Sequence, residues 1–454
     1  MMYVLVLMLL AQIIFFYLLF DRNILSPTVI GTAMFFVSSL IALLYAPKWQ
    51  TGISVHTTLV ILSSLFVMGM GELMVHLVNY KRNQFAKVDL SGEQAIEVKR
   101  ITVYGIIIVF SVLLLNYYRE TVKLAEEAGY KQGSGALMLA YARIASLNEN
   151  GKFSRRNSIA MYSYTLIKNI AYVFSYIFLY NKIICKKKHI AFEFLPVAIF
   201  IPYIILTTGR TEFIYLITVW IICGSVFYMQ TKAWNPYYTG RIIRIGIFGI
   251  MFFLLVFVLV GSLKSTSLWE NVFDSIAKYT GFSIPSLDIY FKNVPYPENT
   301  YFGEHTLFGI YAILKKFNAS LPEFYAPWEF VNAYRVRGNV YTIIRRYHQD
   351  YGYFGLYFMM FFLGFFYSFL YLKFNNKRRN MGILFYAFIF SPIVEMSIEE
   401  RFFMNVIKLS TLQSLFFTWF FFKVFVNNKG YLKKLMFVPA YGGAEINAGG
   451  GIDV

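Results

Sequence analysis

The side chains best suited to chemistry in this sequence fall in a few short clusters, and most of them are cationic. Thr207, Thr208, Gly209, Arg210, Thr211 and Glu212 form a turn between two apolar runs. An arginine near apolar depth costs a few kcal/mol unless it is paired or hydrated, which makes Arg210 a functional candidate by default. Its planar guanidinium offers a phosphate two parallel hydrogen bonds that an ammonium cannot copy. The competing reading is an interfacial arginine that reaches for lipid headgroups or pairs with Glu212.

A second cluster holds Arg335, Arg337, Gly338, Asn339, Tyr341, Thr342, Arg345, Arg346, His348 and Asp350, directly ahead of an apolar run. Cations at this density point to anion binding, and the alternative is a basic rim drawn to anionic lipid. Arg335 and Arg337 stand ahead of Arg345 and Arg346, which are placed to lie at headgroup level. Glu399, Glu400 and Arg401 mark a third cluster, in a short mixed-charge turn of the kind that is more often a solvated cap. Lys168 and Asn169 interrupt another apolar run, so Lys168 either faces a cavity or marks a tilted helix. Arg143 sits on a short stretch, Ala136 to Leu147, whose spacing suits a helix at the membrane interface. Glu72 and His76 are four apart on one helix face, the spacing of a proton relay but more simply that of a satisfied contact between helices.

Several signatures are missing. There is no GxxxxGK[ST], HExxH, CxxC or GxSxG, so nucleotide hydrolysis, zinc chemistry and serine hydrolysis have no support. No DxD-like acidic pair occurs in an early loop, and neither a metal nor another cofactor is expected. Cys185 lies in a basic loop and Cys223 in an apolar run, which excludes a disulfide framework.

These residues must be positioned by an unusually apolar chain. Of 454 residues 58% are hydrophobic and only 15% charged, against about 25% charged in ordinary soluble domains. A water-soluble globular protein is excluded. The net charge of +18 comes from short Lys/Arg clusters between apolar runs rather than from one polar face, so membrane topology accounts for it and nucleic acid is not expected as a partner. About eleven stretches approach the length of roughly 20 apolar residues that a bilayer demands. They are 2–20, 27–45, 55–78, 101–117, 160–180, 190–207, 211–229, 242–263, 353–372, 381–398 and 404–426.

Short loops rich in Lys and Arg stay cytoplasmic. Lys81, Arg82, Lys99 and Arg100, then Lys182 with Lys186 to Lys188, then Arg241 and Arg244, Lys373 with Lys377 to Arg379, and Lys429, Lys433 and Lys434 alternate in one consistent parity. That parity puts the N-terminus outside and the C-terminus in the cytoplasm. It divides the chain into N-terminal transmembrane helices (1–263), an extracytoplasmic cap (264–350), C-terminal transmembrane helices (351–430) and a cytoplasmic tail (431–454). The cap is too long for a plain connector and is rich in aromatic residues and proline, which predicts ordered short helices. The glycine-rich end, 442–454, is assigned no function. The expected fold is an all-α polytopic membrane protein of about eleven transmembrane helices with a large extracytoplasmic loop of short helices.

At this point the chain resembles a known family. The turn Thr208-Gly209-Arg210 ahead of an apolar helix, the run Asn339-Val340-Tyr341-Thr342, and Asp350-Tyr351-Gly352 with Gly355 entering the run Tyr357 to Tyr371 are similar to motifs of bacterial oligosaccharide repeat unit polymerases. This Wzy class builds O-antigen and capsular polysaccharide; its usual Phe is Tyr351 here. The resemblance covers roughly residues 1–430 in architecture and short patches in motif. It implies a GT-C-like arrangement in a bacterial inner membrane, an undecaprenyl-diphosphate-linked glycan as donor and a second lipid-linked repeat unit as acceptor. A chain-length regulator and a flippase are implied as partners in the cell. By matching position, Arg210 and the stretch from Asn339 to Gly355 carry the family's outer-face arginine and late signature. Arg210, Arg335, Arg337 and Arg401 then become candidates to hold the leaving diphosphate, with His348 or Asp350 as base and Arg143, Lys168, Asn339 and Tyr341 as further substrate contacts. The alternatives are an O-antigen ligase-like transferase and a lipid-linked oligosaccharide flippase or transporter, the latter using Glu72, His76 and Lys168 along a central path.

Overall fold

The computed structural model describes residues 1–79, 90, 92–146, 153–209, 211–249, 270–293, 301–318, 320–321, 331–333, 336–375 and 379–427. Apolar runs become helices because a chain away from water must satisfy every backbone polar group internally. In chain order they are α1 (Met2–Leu19), α2 (Pro27–Trp49), α3 (Val55–Asn79), α4 (Arg100–Glu127), α5 (Gly135–Ser146), α6 (Ser158–Ile183), α7 (Ala191–Leu206) and α8 (Thr211–Thr231). A helix α9 follows over 239–249. Then come α10 (Glu270–Gly281), α11 (Ser283–Asn293), α12 (Phe308–Leu314), strands β1 (Val331–Ala333) and β2 (Val336–Gly338), α13 (Ile343–Phe374), α14 (Met381–Ile389), α15 (Ser391–Glu395) and α16 (Leu409–Phe425). The two strands form a small antiparallel ribbon in which Asn332 pairs with Arg337. The described chain is otherwise helix and connecting turns.

Six of these helices, α1, α2, α3, α4, α8 and α13, are long and apolar enough to cross a membrane. Their outward faces carry Leu7, Leu44, Leu77, Ile108 and Leu115, each more than 60% exposed, and an apolar belt of that extent requires lipid rather than water. The protein is a membrane protein. Helices α7, α16 and the Met381–Glu395 pair are apolar but shorter. Pro392 interrupts the stretch 381–398, leaving α14 and α15 in place of one helix. The stretch 404–426 begins with a π-helical turn, Phe402–Val406, ahead of α16. Residues 250–263 of the eighth stretch lie outside the described residues.

Two elements run past their expected ends. Helix α4 continues beyond 117 to Glu127 because Arg119, Glu120, Lys123, Leu124, Ala125 and Glu126 are all good helix formers. Helix α13 begins at Ile343, ahead of the apolar run, and breaks at Gly352, where φ is 63° and ψ −165°. That conformation belongs almost to glycine alone. It sets residues 343–351 off as a separate helical arm.

The tightest helix pair is α3 with α13. A Cβ on Gly71 would overlap the carbonyl oxygen of Phe361, and one on Gly364 that of Met68, so two glycines let the backbones meet. The short helices of the segment 264–350 are docked by polar anchors. The Asp288 carboxylate of α11 accepts hydrogen bonds from Ser54 N (2.7 Å) and Thr57 Oγ1 (2.7 Å) at the start of α3. Ser54 Oγ caps α3 by accepting Thr57 N (3.2 Å), and Asp288 holds that cap in place from elsewhere in the chain. Lys292 completes the anchor at 2.7 Å.

Candidate functional site

The arm 343–351 is the most heavily buried polar segment among the described residues. Tyr341 N donates to Ile398 O (2.9 Å) and Ile343 N to Met396 O (2.9 Å), which ties its entry to the turn following α15. Arg345 and Arg346 are 3% and 2% exposed. They are enclosed by protein rather than presented to lipid, because Ile343, Ile344, Tyr347 and His348 anchor the arm inside the protein. The Arg345 guanidinium lies 3.7 Å from the centroid of the Tyr341 ring and 5.3 Å from that of Tyr290, a desolvated cation–π stack. Arg346 reaches Glu399 (Nε to Oε1, 3.5 Å) and donates to Gln349 Oε1 (3.4 Å).

The turn Glu399-Glu400-Arg401 faces this arm with Glu400 fully buried and Glu399 and Arg401 half-buried, which corrects its reading as a solvated cap. Glu400 accepts Phe403 N (2.8 Å) and Met404 N (3.0 Å), capping the π-turn, and Tyr347 Oη donates to it at 3.3 Å. Burial pushes its carboxyl up to about 7 against those donors. Burial works against the Arg401 charge, but Glu395 and Glu399 outweigh it, so the guanidinium pKa is raised. From the π-turn, Asn405 Nδ2 donates to Tyr215 Oη of α8 (2.9 Å). One turn earlier on α8, Glu212 holds Lys168 at 2.8 Å. Tyr164, Tyr172 and Tyr215 stand around that ammonium, 5.6 to 6.0 Å from it. Two short polar networks therefore meet at this turn: Lys168, Glu212, Tyr215 and Asn405 across α6, α8 and the π-turn, and Arg346 with Glu399 between the arm and the turn, with Arg401 between them in the field of Glu395 and Glu399.

The other sequence candidates are distributed around these networks. Arg210 and Arg335 lie outside the described residues, as does the Arg337 side chain; its backbone pairs with Asn332 in the ribbon. Glu212, an alternative partner for Arg210, is paired with Lys168. His348 is fully buried, its Nδ1 3.0 Å from Tyr290 Oη and its ring 4.5 Å from that of Tyr353. Its Nε2 has no hydrogen-bond partner among the described residues. Asp350 anchors a loop, accepting His305 N (3.1 Å) and Thr306 Oγ1 (2.6 Å). Beside it His305 is pushed down to about 4, by burial first and then by Arg346.

Tyr341 is the platform under Arg345, and Asn339 stands half-buried just before it. Arg143 lies on α5, which packs Met138, Leu139 and Ala142 on Ala125 of α4 and Leu206 of α7. It is not on the arm. Glu72 and His76 form the structural contact expected of them. Glu72 accepts Ser26 Oγ (2.9 Å) and Thr28 N (3.0 Å) at the start of α2, and His76 stacks on Phe20.

Two participants escaped the sequence reading. Glu395 sits in an apolar run, where a carboxylate looks incidental. Arg156 is the second: it donates to Leu206 O (3.0 Å) at the end of α7 and lies 4.9 Å from the Tyr117 ring. The signal for the arm was present in Ile343, Ile344, Tyr347, His348 and Tyr351, an i, i+1, i+4, i+5, i+8 apolar stripe with Gly352 as its stop. Among the described residues no group of three His, Cys, Asp or Glu side chains is placed to hold a metal ion. Comparison with protein-family models, with curated proteins and with solved structures finds no match for this chain.

Proposed function

We propose that this chain is a polysaccharide polymerase of a bacterial inner membrane, with about eleven spans and a GT-C-like plan, that transfers an undecaprenyl-diphosphate-linked glycan onto a lipid-linked repeat unit at the outer face. The observation that carries the reading is the buried guanidinium pair of Arg345 and Arg346, with the half-buried Arg401 in the turn that faces them. Charges in such a position are expensive and are retained where they handle a charged ligand.

In the reaction, a hydroxyl of the acceptor sugar attacks the anomeric carbon of the donor, forming the new C–O bond as the bond to the diphosphate breaks. Negative charge grows on the departing diphosphate, and guanidinium groups aimed at it favour the transition state over the ground state. Glu395 and Glu399, whose charges favour the Arg401 cation, yield that role to the diphosphate as it binds. The hydroxyl proton passes to a base, for which His348 and Asp350 remain the candidates. The flippase alternative is less well supported, because Glu72 and His76 serve as a helix cap and a stacked pair.

Purified protein in proteoliposomes, supplied with one lipid-linked repeat unit, is expected to yield dimers and longer products. Arg401→Lys keeps the charge but loses the fork, and product formation should fall about 100-fold while the variant elutes as the wild type does. Authentic repeat units that stay monomeric would reject the polymerase. Wild-type ladders from Arg401→Lys would remove that residue from the mechanism.

A further inference from the structure

A cavity of about 350 Å³ opens at the junction of the α2–α3 loop, α11 and strand β1, away from the guanidinium groups. Helix α11 separates the two. Pro285, Asp288, Ile289 and Lys292 share its cavity face, at the spacing i, i+3, i+4, i+7. Tyr290 and Phe291, on another face, contact His348 of the arm, and Tyr290 also lies under Arg345. A ligand lying across α11 therefore has one end in the cavity and the other beside the arginines.

The lining is selective by chemistry. Gln50 and Asn332 bring primary amides, groups that each donate and accept hydrogen bonds. The charges of Asp288 and Lys292 cancel in their ion pair, so the cavity offers an anion no uncompensated cation. An apolar ligand would leave the amides unsatisfied. Vicinal hydroxyls, each both donor and acceptor, match this set, and Pro285 with Ile289 supplies apolar surface for the C–H face of a ring. The volume lies within the range of small-molecule sites.

We propose that this cavity is a glycan subsite that holds a sugar unit of the donor glycan away from its diphosphate, an assignment that rests on the polymerase reading for the identity of its ligand. Gly52 provides the probe. It lines the cavity, and no described atom lies within 4 Å of where a Cβ would sit, so a side chain there enters the cavity without displacing the fold.

The experiment labels Gly52→Cys, in a Cys185→Ser background, with an environment-sensitive fluorophore in the purified full-length protein. The label is titrated with the oligosaccharide that mild acid releases from the lipid-linked pool of the source cells. A saturable fluorescence change is expected, with Asn332→Ala weakening the apparent affinity about tenfold and sugar-free farnesyl diphosphate producing no change. No response to the oligosaccharide, an equal response from farnesyl diphosphate, or an undiminished response in Asn332→Ala each overturns the subsite. The readout needs no catalysis, so the two readings fail separately. A protein that binds the oligosaccharide here but makes no polymer loses the polymerase reading alone, and polymer made without any response from the fluorophore removes the subsite alone.

Discussion

At position 400 a carboxyl group sits wholly inside the protein, accepting two backbone N–H groups of the π-turn and the hydroxyl of Tyr347. Burial dominates those donors and raises the group from 4.5 to about 7. An acid whose folded pKa is raised keeps its full stabilising effect below its unfolded value and loses it as pH climbs through the folded one. Glu400→Gln is neutral at every pH but presents an NH₂ where one oxygen accepts an N–H. Wild type should therefore unfold at higher temperature than Glu400→Gln at pH 5, with the gap narrowing as pH rises to 8. Thermal unfolding in detergent measures this, and a constant gap would mean that Glu400 titrates at its ordinary value. Chemistry at this scale was half legible. Arg401 stood out as a cation, whereas Arg345 and Arg346 looked like headgroup residues because residue type alone does not tell a wet arginine from one stacked on Tyr341.

Between elements, the fold depends on how closely helices approach. Gly364 of α13 faces the Met68 carbonyl of α3, and Gly71 of α3 faces the Phe361 carbonyl of α13. Gly364→Ala pushes a methyl into backbone that cannot swing aside, so it should destabilise by about 1–3 kcal/mol, the scale of core overpacking. At Gly105 of α4 no described atom lies within 4 Å of the Cβ position, and Gly105→Ala should be neutral or stabilising by up to about 1 kcal/mol from helix propensity alone. Thermal midpoints of the two variants decide the matter, and equal shifts would deny the close crossing. Element existence was readable, since long apolar runs have few alternatives in a membrane. Element ends were not. The arm before Gly352 reads as loop in a hydropathy scan because its arginines mask its apolar stripe, and Pro392 divides a run whose composition is uniformly apolar.

For the molecule as a whole, orientation rests on where the basic clusters fall. Ser134, between α4 and α5, and Lys188, between α6 and α7, are both exposed and lie at opposite ends of α6 and its neighbours. In intact cells, Ser134→Cys should react with a membrane-impermeant maleimide, and Lys188→Cys only after permeabilisation. The reverse pattern would invert the topology and move the guanidinium groups to the cytoplasm, ending the proposed role. Composition and the spacing of apolar runs by themselves determined a helical membrane protein, because burial in lipid constrains backbone hydrogen bonding over whole segments. Only the tertiary structure decided which charges meet. Lys168 finds Glu212, Arg346 finds Glu399, and Asp288 finds Ser54 and Thr57 at the start of α3 across more than two hundred residues of chain, pairings fixed by helix packing that no local pattern in the sequence encodes.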